Sequence, residues 1–129
     1  MVSRICFAGT KLNEVVFPNS LKEIHFEAFA GCDLLEKIVL NEGLITIVNS
    51  AFRDTAIEEV IIPKTVSEIN ENSFNTNTLK RMKFEGNAPQ NFEITDTSIE
   101  IQGDFTVYYH EGAEGFTSPK WYGYPTELW

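Results

Sequence analysis

The property that most restricts what this chain can fold into is that it repeats itself. The segments "LNEVVFPNSLKEIHFEAFAGCD" from Leu12, "LEKIVLNEGLITIVNSAFRDTA" from Leu35 and "IEEVIIPKTVSEINENSFNTNT" from Ile57 align with one another and then with "LKRMKFEG" from Leu79, their starts 23, 22 and 22 residues apart. Five apolar columns run through them: Leu12/Leu35/Ile57/Leu79, Val15/Ile38/Val60/Met82, Phe17/Leu40/Ile62/Phe84, Leu21/Leu44/Val66 and Ile24/Ile47/Ile69. A sixth column, Phe29/Phe52/Phe74, follows a small residue each time: Ala28, Ala51 and Ser73. The opening "VSRICFAGTK" fits the same frame, with Val2 in the isoleucine column, Cys6 in the small-residue column and Phe7 in the phenylalanine column. A period of this length means that no unit buries its apolar face alone, so successive units must stack as coils of a solenoid.

Within one unit, L-x-x-I-x-F suits a short strand whose first, fourth and sixth residues face a core, and P-x-S/T-L/V turns the chain afterwards. The stretch ending in A-F is too short for a long helix and is expected to form one or two helical or 3₁₀ turns that place the phenylalanine under the strand. Stacked coils then bring the strands into a parallel sheet at about 4.8 Å spacing.

The pattern L-x-x-V/I-x-F/I-P-x-S/T-L/V-x-E-I-x-x-x-A/S-F resembles the BspA-like class of bacterial leucine-rich repeats over residues 2–84. The tail, "LKRMKFEGNAP" with "FTVYYHEGAEGFTSPKWYGYPTELW", is similar to the ending of many members of that family. The resemblance implies an α/β leucine-rich-repeat solenoid, with repeats over residues 1–84, the first truncated, and a β-rich, aromatic C-terminal capping segment over residues 85–129. It also implies a non-enzymatic protein-binding module, the C-terminal part of a cell-surface or secreted bacterial protein, adhering to host or cell-surface macromolecules. The departures are Asn41 where the neighbouring units have Pro18 and Pro63, and a one-residue shortening after Phe52 and Phe74.

Charge narrows the partners. The net charge is −9 over 129 residues, but residues 1–84 carry 9 Lys+Arg against 11 Asp+Glu, whereas residues 85–129 carry Lys120 alone against 8 acids. Nucleic acid and anionic membrane both need a basic face, so neither is expected as a partner. No apolar run approaches the roughly 18 residues of a membrane span, and "MVSRICFAG" lacks the long apolar core of a secretory signal.

The chemistry-bearing residues mostly fall into repeat columns. Cys32 shares its column with Thr10, Thr55 and Asn77, at a turn, and Cys6 occupies a small-residue position, so packing explains both and a disulfide between them would require offset coils. His25 lies in the column Ser3/His25/Val48/Asn70, which accepts any residue type and reads as surface, and no third group is placed to orient a Cys-His nucleophile. Asp96, Glu100 and Asp104 follow no calcium-loop pattern, and His110 beside Tyr108 and Tyr109 reads as part of a closing strand. No Walker A, dinucleotide, HExxH or GxSxG motif occurs, so no enzyme activity, cofactor or metal is expected.

What remains is surface. The outward ladder Glu14/Lys37/Glu59/Arg81 alternates in sign, the next reads Val16/Val39/Ile61/Lys83, and Asn13/Glu36/Glu58/Lys80 flanks it. Val16, Val39, Ile61, Lys83, Glu36, Glu58 and Lys80 are therefore the candidate binding face on the concave side. A second candidate is self-association through an N-terminal edge made of Val2, Ile5, Phe7, Leu12 and Val15, because that end of the stack reads as uncapped. A structural end cap or spacer without a recognition surface is the alternative to both.

Overall fold

The computed structural model describes residues 7, 9–92 and 104–129. The chain winds as a solenoid of parallel strands. One row of strands comprises β1 (Glu14–Val16), β3 (Lys37–Val39), β5 (Glu59–Ile62) and β7 (Arg81–Phe84), continued by β9 (Thr106–Tyr109) and β11 (Tyr124–Leu128). β10 (Lys120–Trp121) pairs antiparallel with β11 at the far end. The pairs β1–β3 and β5–β7 keep the register of the repeat, Val15 lying opposite Ile38 and Val60 opposite Met82, and β9 extends the row with Val107 opposite Met82.

A second row follows the turn after each strand: β2 (Glu23–Ile24), β4 (Thr46–Ile47), β6 (Glu68–Ile69) and β8 (Asn91–Phe92), all parallel. The isoleucine column is its inward face, and Phe92 extends that column into a fourth coil beyond residue 84. Asn41, which stands in the proline column, is buried and donates from Nδ2 to the carbonyls of Leu21 (2.8 Å) and Glu42 (3.1 Å). The turn that proline makes elsewhere is thus held here by a side-chain hydrogen bond reaching the preceding coil.

The third side differs from the expectation of helical turns. No helix is assigned among the described residues, and residues 26–31 run as consecutive tight turns. Their N–H groups alternate in direction: Ala28, Ala30 and Cys32 bond back to the carbonyls of His25, Glu27 and Phe29, whereas Glu27, Phe29 and Gly31 bond across to Asn49, Ala51 and Arg53 of the next coil. The next coil repeats this from Ser50, Phe52 and Asp54 to Glu71, Ser73 and Asn75. A helix would direct every N–H along its own axis. Here the chain must reverse handedness locally so that every second donor reaches the neighbour. The equivalent residues Glu27, Ser50 and Asn72 accordingly sit at φ 54°, 61° and 59°, and Gly31 and Asp54 at 73° and 57°.

The core lies between these three sides. Phe29, Phe52 and Phe74 form a spine of stacked rings with centroids 5.4 and 5.3 Å apart and planes within 13°. Phe7 adds a fourth ring, 5.2 Å from Phe29, as its column predicted. Phe84 and Phe92 of the fourth coil pack with Phe116 and Trp121 from beyond it, Trp121 stacking on Phe92 at 4.5 Å.

Phe52 has an aromatic neighbour above and below and no exposed surface. Phe52→Ala should cost about 3–5 kcal/mol, a cavity that rigid rings on both sides cannot close. Ser50→Gly should instead stabilise by about 0.5–1 kcal/mol, because glycine adopts the left-handed region without a Cβ penalty. Urea midpoints of the two variants against the wild type, moving in opposite directions, are the measurement.

Candidate binding surface

The outward side chains of the first row form the face on which the candidate binding residues lie. Strand alternation puts Val15, Ile38, Val60 and Met82 inward and their neighbours outward. Val16 is 65%, Val39 44% and Ile61 43% exposed, so the apolar column predicted from the repeat is in solvent. It passes into Lys83, and pairing continues it into Tyr108 and Glu127, which the irregular spacing after residue 84 hid from the sequence.

The charged ladder is not continuous. Glu14 pairs with Lys37 (3.8 Å), while Glu59 pairs with Arg81 (3.3 Å) and Lys83 (2.6 Å). Glu58 pairs with Lys80 (3.3 Å). Among the described residues no ion pair joins Lys37 to Glu59, and none engages Glu36 or Glu85. The backbone has the same interruption: β1 and β3 form one two-stranded sheet and β5 begins another, with no bridge between β3 and β5. Lys37 and Arg81 each donate to the coil before, to the carbonyls of Asn13 and Glu58, but Glu59 makes no such bond to Glu36.

A seam therefore crosses this outward face between β3 and β5. It opens a cavity of about 560 Å³ whose walls include Glu36, Val39, Leu40, Glu58, Ile61 and Glu85. The coils on either side remain joined elsewhere, by β4 with β6, by Gly43 N–H to Thr65 Oγ1 (3.0 Å) and by the tight-turn side. The opening is a groove in one face of a continuous core.

On the C-terminal side of the seam the surface is tied down. Lys83 Nζ lies 5.1 Å from the Trp129 ring and 5.7 Å from the Tyr108 ring, besides its contact with Glu59. Trp129 donates from Nε1 to the Phe84 carbonyl (3.3 Å) and stacks on His110 (4.6 Å), whose Nδ1 is 2.9 Å from the Trp129 backbone oxygen. The Glu59 carboxyl is held below its ordinary value of 4.5, chiefly by the hydrogen bond from Lys83; partial burial opposes this, and the charge of Lys83 and the contacts of Arg81 reinforce it.

The remaining candidates separate. Val2 and Ile5 lie outside the described residues, as do Cys6, Asp96 and Glu100. Leu12 and Val15 are half-buried against the core, and Phe7 is 40% exposed beside its stack. Cys32 is buried, its Sγ 2.9 Å from the Phe7 carbonyl and 3.5 Å from Thr10 Oγ1, so the two column neighbours do meet. His25 is half-buried where its column suggested surface, with Nε2 enclosed and the Glu23 carboxylate 3.9 Å away. Among the described residues no group of three or more His, Cys, Asp or Glu is placed to hold a metal ion, and no helix is long and apolar enough to cross a membrane.

This arrangement of 22–23-residue coils with a row of parallel strands is that of a leucine-rich-repeat protein. The chain belongs to the BspA-type leucine-rich repeat family, whose model matches residues 1–103 in six copies. No curated protein and no solved structure matches it. Leucine-rich repeats commonly serve as protein-interaction scaffolds, and proteins of the BspA type are associated with bacterial surfaces.

Because Glu59 binds its proton less tightly in the folded chain, its contribution to stability is present above pH 4.5 and is lost as the pH falls through the lower folded value. Glu59→Gln should therefore be less stable than the wild type at neutral pH, and the gap should close with acidification below that point. Denaturant midpoints taken across the acid range test this; a gap independent of pH would contradict it.

Proposed function

We propose that this chain is a non-enzymatic protein-binding module that takes a partner protein on its concave face. The observation that carries this reading is the column Val16, Val39 and Ile61: three β-branched apolar side chains exposed side by side, two of them forming walls of a groove. The preference of sheets for β-branched residues is an insufficient account, because the same column continues as Lys83, Tyr108 and Glu127 beyond β5. Family membership supports a role in adhesion at a bacterial cell surface or after secretion, with the flanking Glu36, Glu58, Lys80 and Lys83 setting which partner fits. The aromatic cluster around Phe92 and Trp121 supports reading the C-terminal segment as the cap of the stack.

Selection of a displayed random-peptide library on the immobilised chain tests the reading. Peptides enriched on the wild type should be lost on the Val16→Ser/Val39→Ser/Ile61→Ser variant. Equal enrichment on both would rule out the concave face, and no enrichment at all would favour the end cap or spacer.

A second reading, self-association, rests on β1, which has a strand partner on one side only among the described residues, next to half-buried Leu12 and Val15. Sedimentation should then show a concentration-dependent dimer that Val15→Lys abolishes; a monomer at all concentrations would dismiss it.

A further inference from the structure

The seam narrows the chemistry of the partner. Along its length the cavity runs from Glu36 and Glu58, at the start of the strands, to Glu85, just past the end of β7. Val39 and Ile61 lie between these ends and offer an apolar middle. Four acids and two cations line the cavity: Lys37 pairs with Glu14, Arg81 with Glu59 and Glu58 with Lys80, whereas Glu36 and Glu85 engage no cation among the described residues, which leaves the lining net acidic. Glu36 also stands next to Glu58 in its ladder, a like-charge neighbour that an added cation would relieve.

The spacing of these groups fits an extended chain. Glu36 and Glu85 are five strand positions apart in register, about 16 Å at roughly 3.3 Å per residue, and two strands apart across the row, about 10 Å, so that a line between them crosses the seam obliquely over about 19 Å. In an extended peptide, residues i, i+2 and i+4 share one face and span about 13 Å, and lysine or arginine side chains reach the remainder. We infer that the seam between β3 and β5 is the docking groove for an extended segment of a partner protein that presents an apolar side chain flanked two residues away on each side by basic ones. The apolar residue seats on Val39 and Ile61, and the two cations meet Glu36 and Glu85. Since β4 with β6 and the tight-turn side hold the two coils together, the groove exists before the partner arrives and binding requires no opening of the core. This inference rests on the concave-face reading and specifies its partner.

The test is fluorescence anisotropy of the whole chain with short labelled peptides. The first carries Lys-Thr-Val-Thr-Lys; in the others the lysines are replaced by glutamate, the valine is replaced by serine, or the same residues are reordered so that the two lysines are adjacent. The first peptide should bind, with affinity falling as salt is raised, and each of the others should bind about tenfold more weakly or worse. Glu36→Gln/Glu85→Gln should weaken the first peptide by about tenfold without lowering the thermal midpoint, as expected for two exposed acids with no ion pair among the described residues. Equal binding of the reordered peptide would reduce the effect to general attraction by an acidic protein and overturn the inference, as would no binding of the first peptide at millimolar concentration. If Val39→Ser/Ile61→Ser abolishes binding of library-selected peptides that lack flanking cations, while Glu36→Gln/Glu85→Gln does not, the concave-face reading stands and the basic partner is wrong.

Discussion

The rest of this structure depends on the face-to-face stacking of equivalent side chains from successive coils. Phe7, Phe29, Phe52 and Phe74 stack at 5.2, 5.4 and 5.3 Å, close to the spacing of about 4.7–4.9 Å that parallel strands impose. A ring column and a hydrogen-bond ladder can run side by side only if each coil repeats the one before it nearly residue for residue. The left-handed residues Glu27 and Ser50 meet the same demand on the backbone, turning alternate N–H groups toward the next coil. Local strain of this kind persists because a buried donor left unpaired would cost more.

The outward surface of the first row is less constrained than the core beneath it. Its side chains need only avoid clashing, so the outward charges divide into sets on either side of β3 and β5 without disturbing Ile38 and Val60 below. Lys37 turns to Glu14, and Glu59 is drawn the other way by Arg81 and Lys83, which leaves the seam without a charge pair across it. A continuous core can thus carry an interrupted face. That combination provides a preformed groove without the cost of ordering a loop to make one.

The core was legible in the sequence to the level of single residues. The columns placed Phe29, Phe52, Ile24, Ile47, Leu44 and Met82 inside, and all are fully buried or nearly so. The turns were not legible, because a small residue before phenylalanine suits a helical turn and a tight turn equally, and only the neighbouring coil's carbonyls distinguish them. The second row of strands was hidden for a similar reason, since two residues such as Glu23 and Ile24 are too few to show a period of two. Of the candidate face, Val16, Val39 and Ile61 could be named in advance, whereas Leu40, Glu85 and Tyr108 could not, because they enter it through pairing and through the turn after β7.

What the sequence by itself determined is the stack: a 22–23-residue period with six columns leaves no other way to bury its apolar residues, since side chains separated by one period can share a core only if coils lie one on another. What only the tertiary structure decided is which neighbours pair. The ladder Glu14, Lys37, Glu59 and Arg81 permits every adjacent couple equally, and the choice of two couples over a continuous chain depends on where Lys83 and the aromatic residues beyond it hold Glu59. Periodicity governs what is buried because burial is collective; the surface is settled by individual distances, which a one-dimensional pattern does not contain.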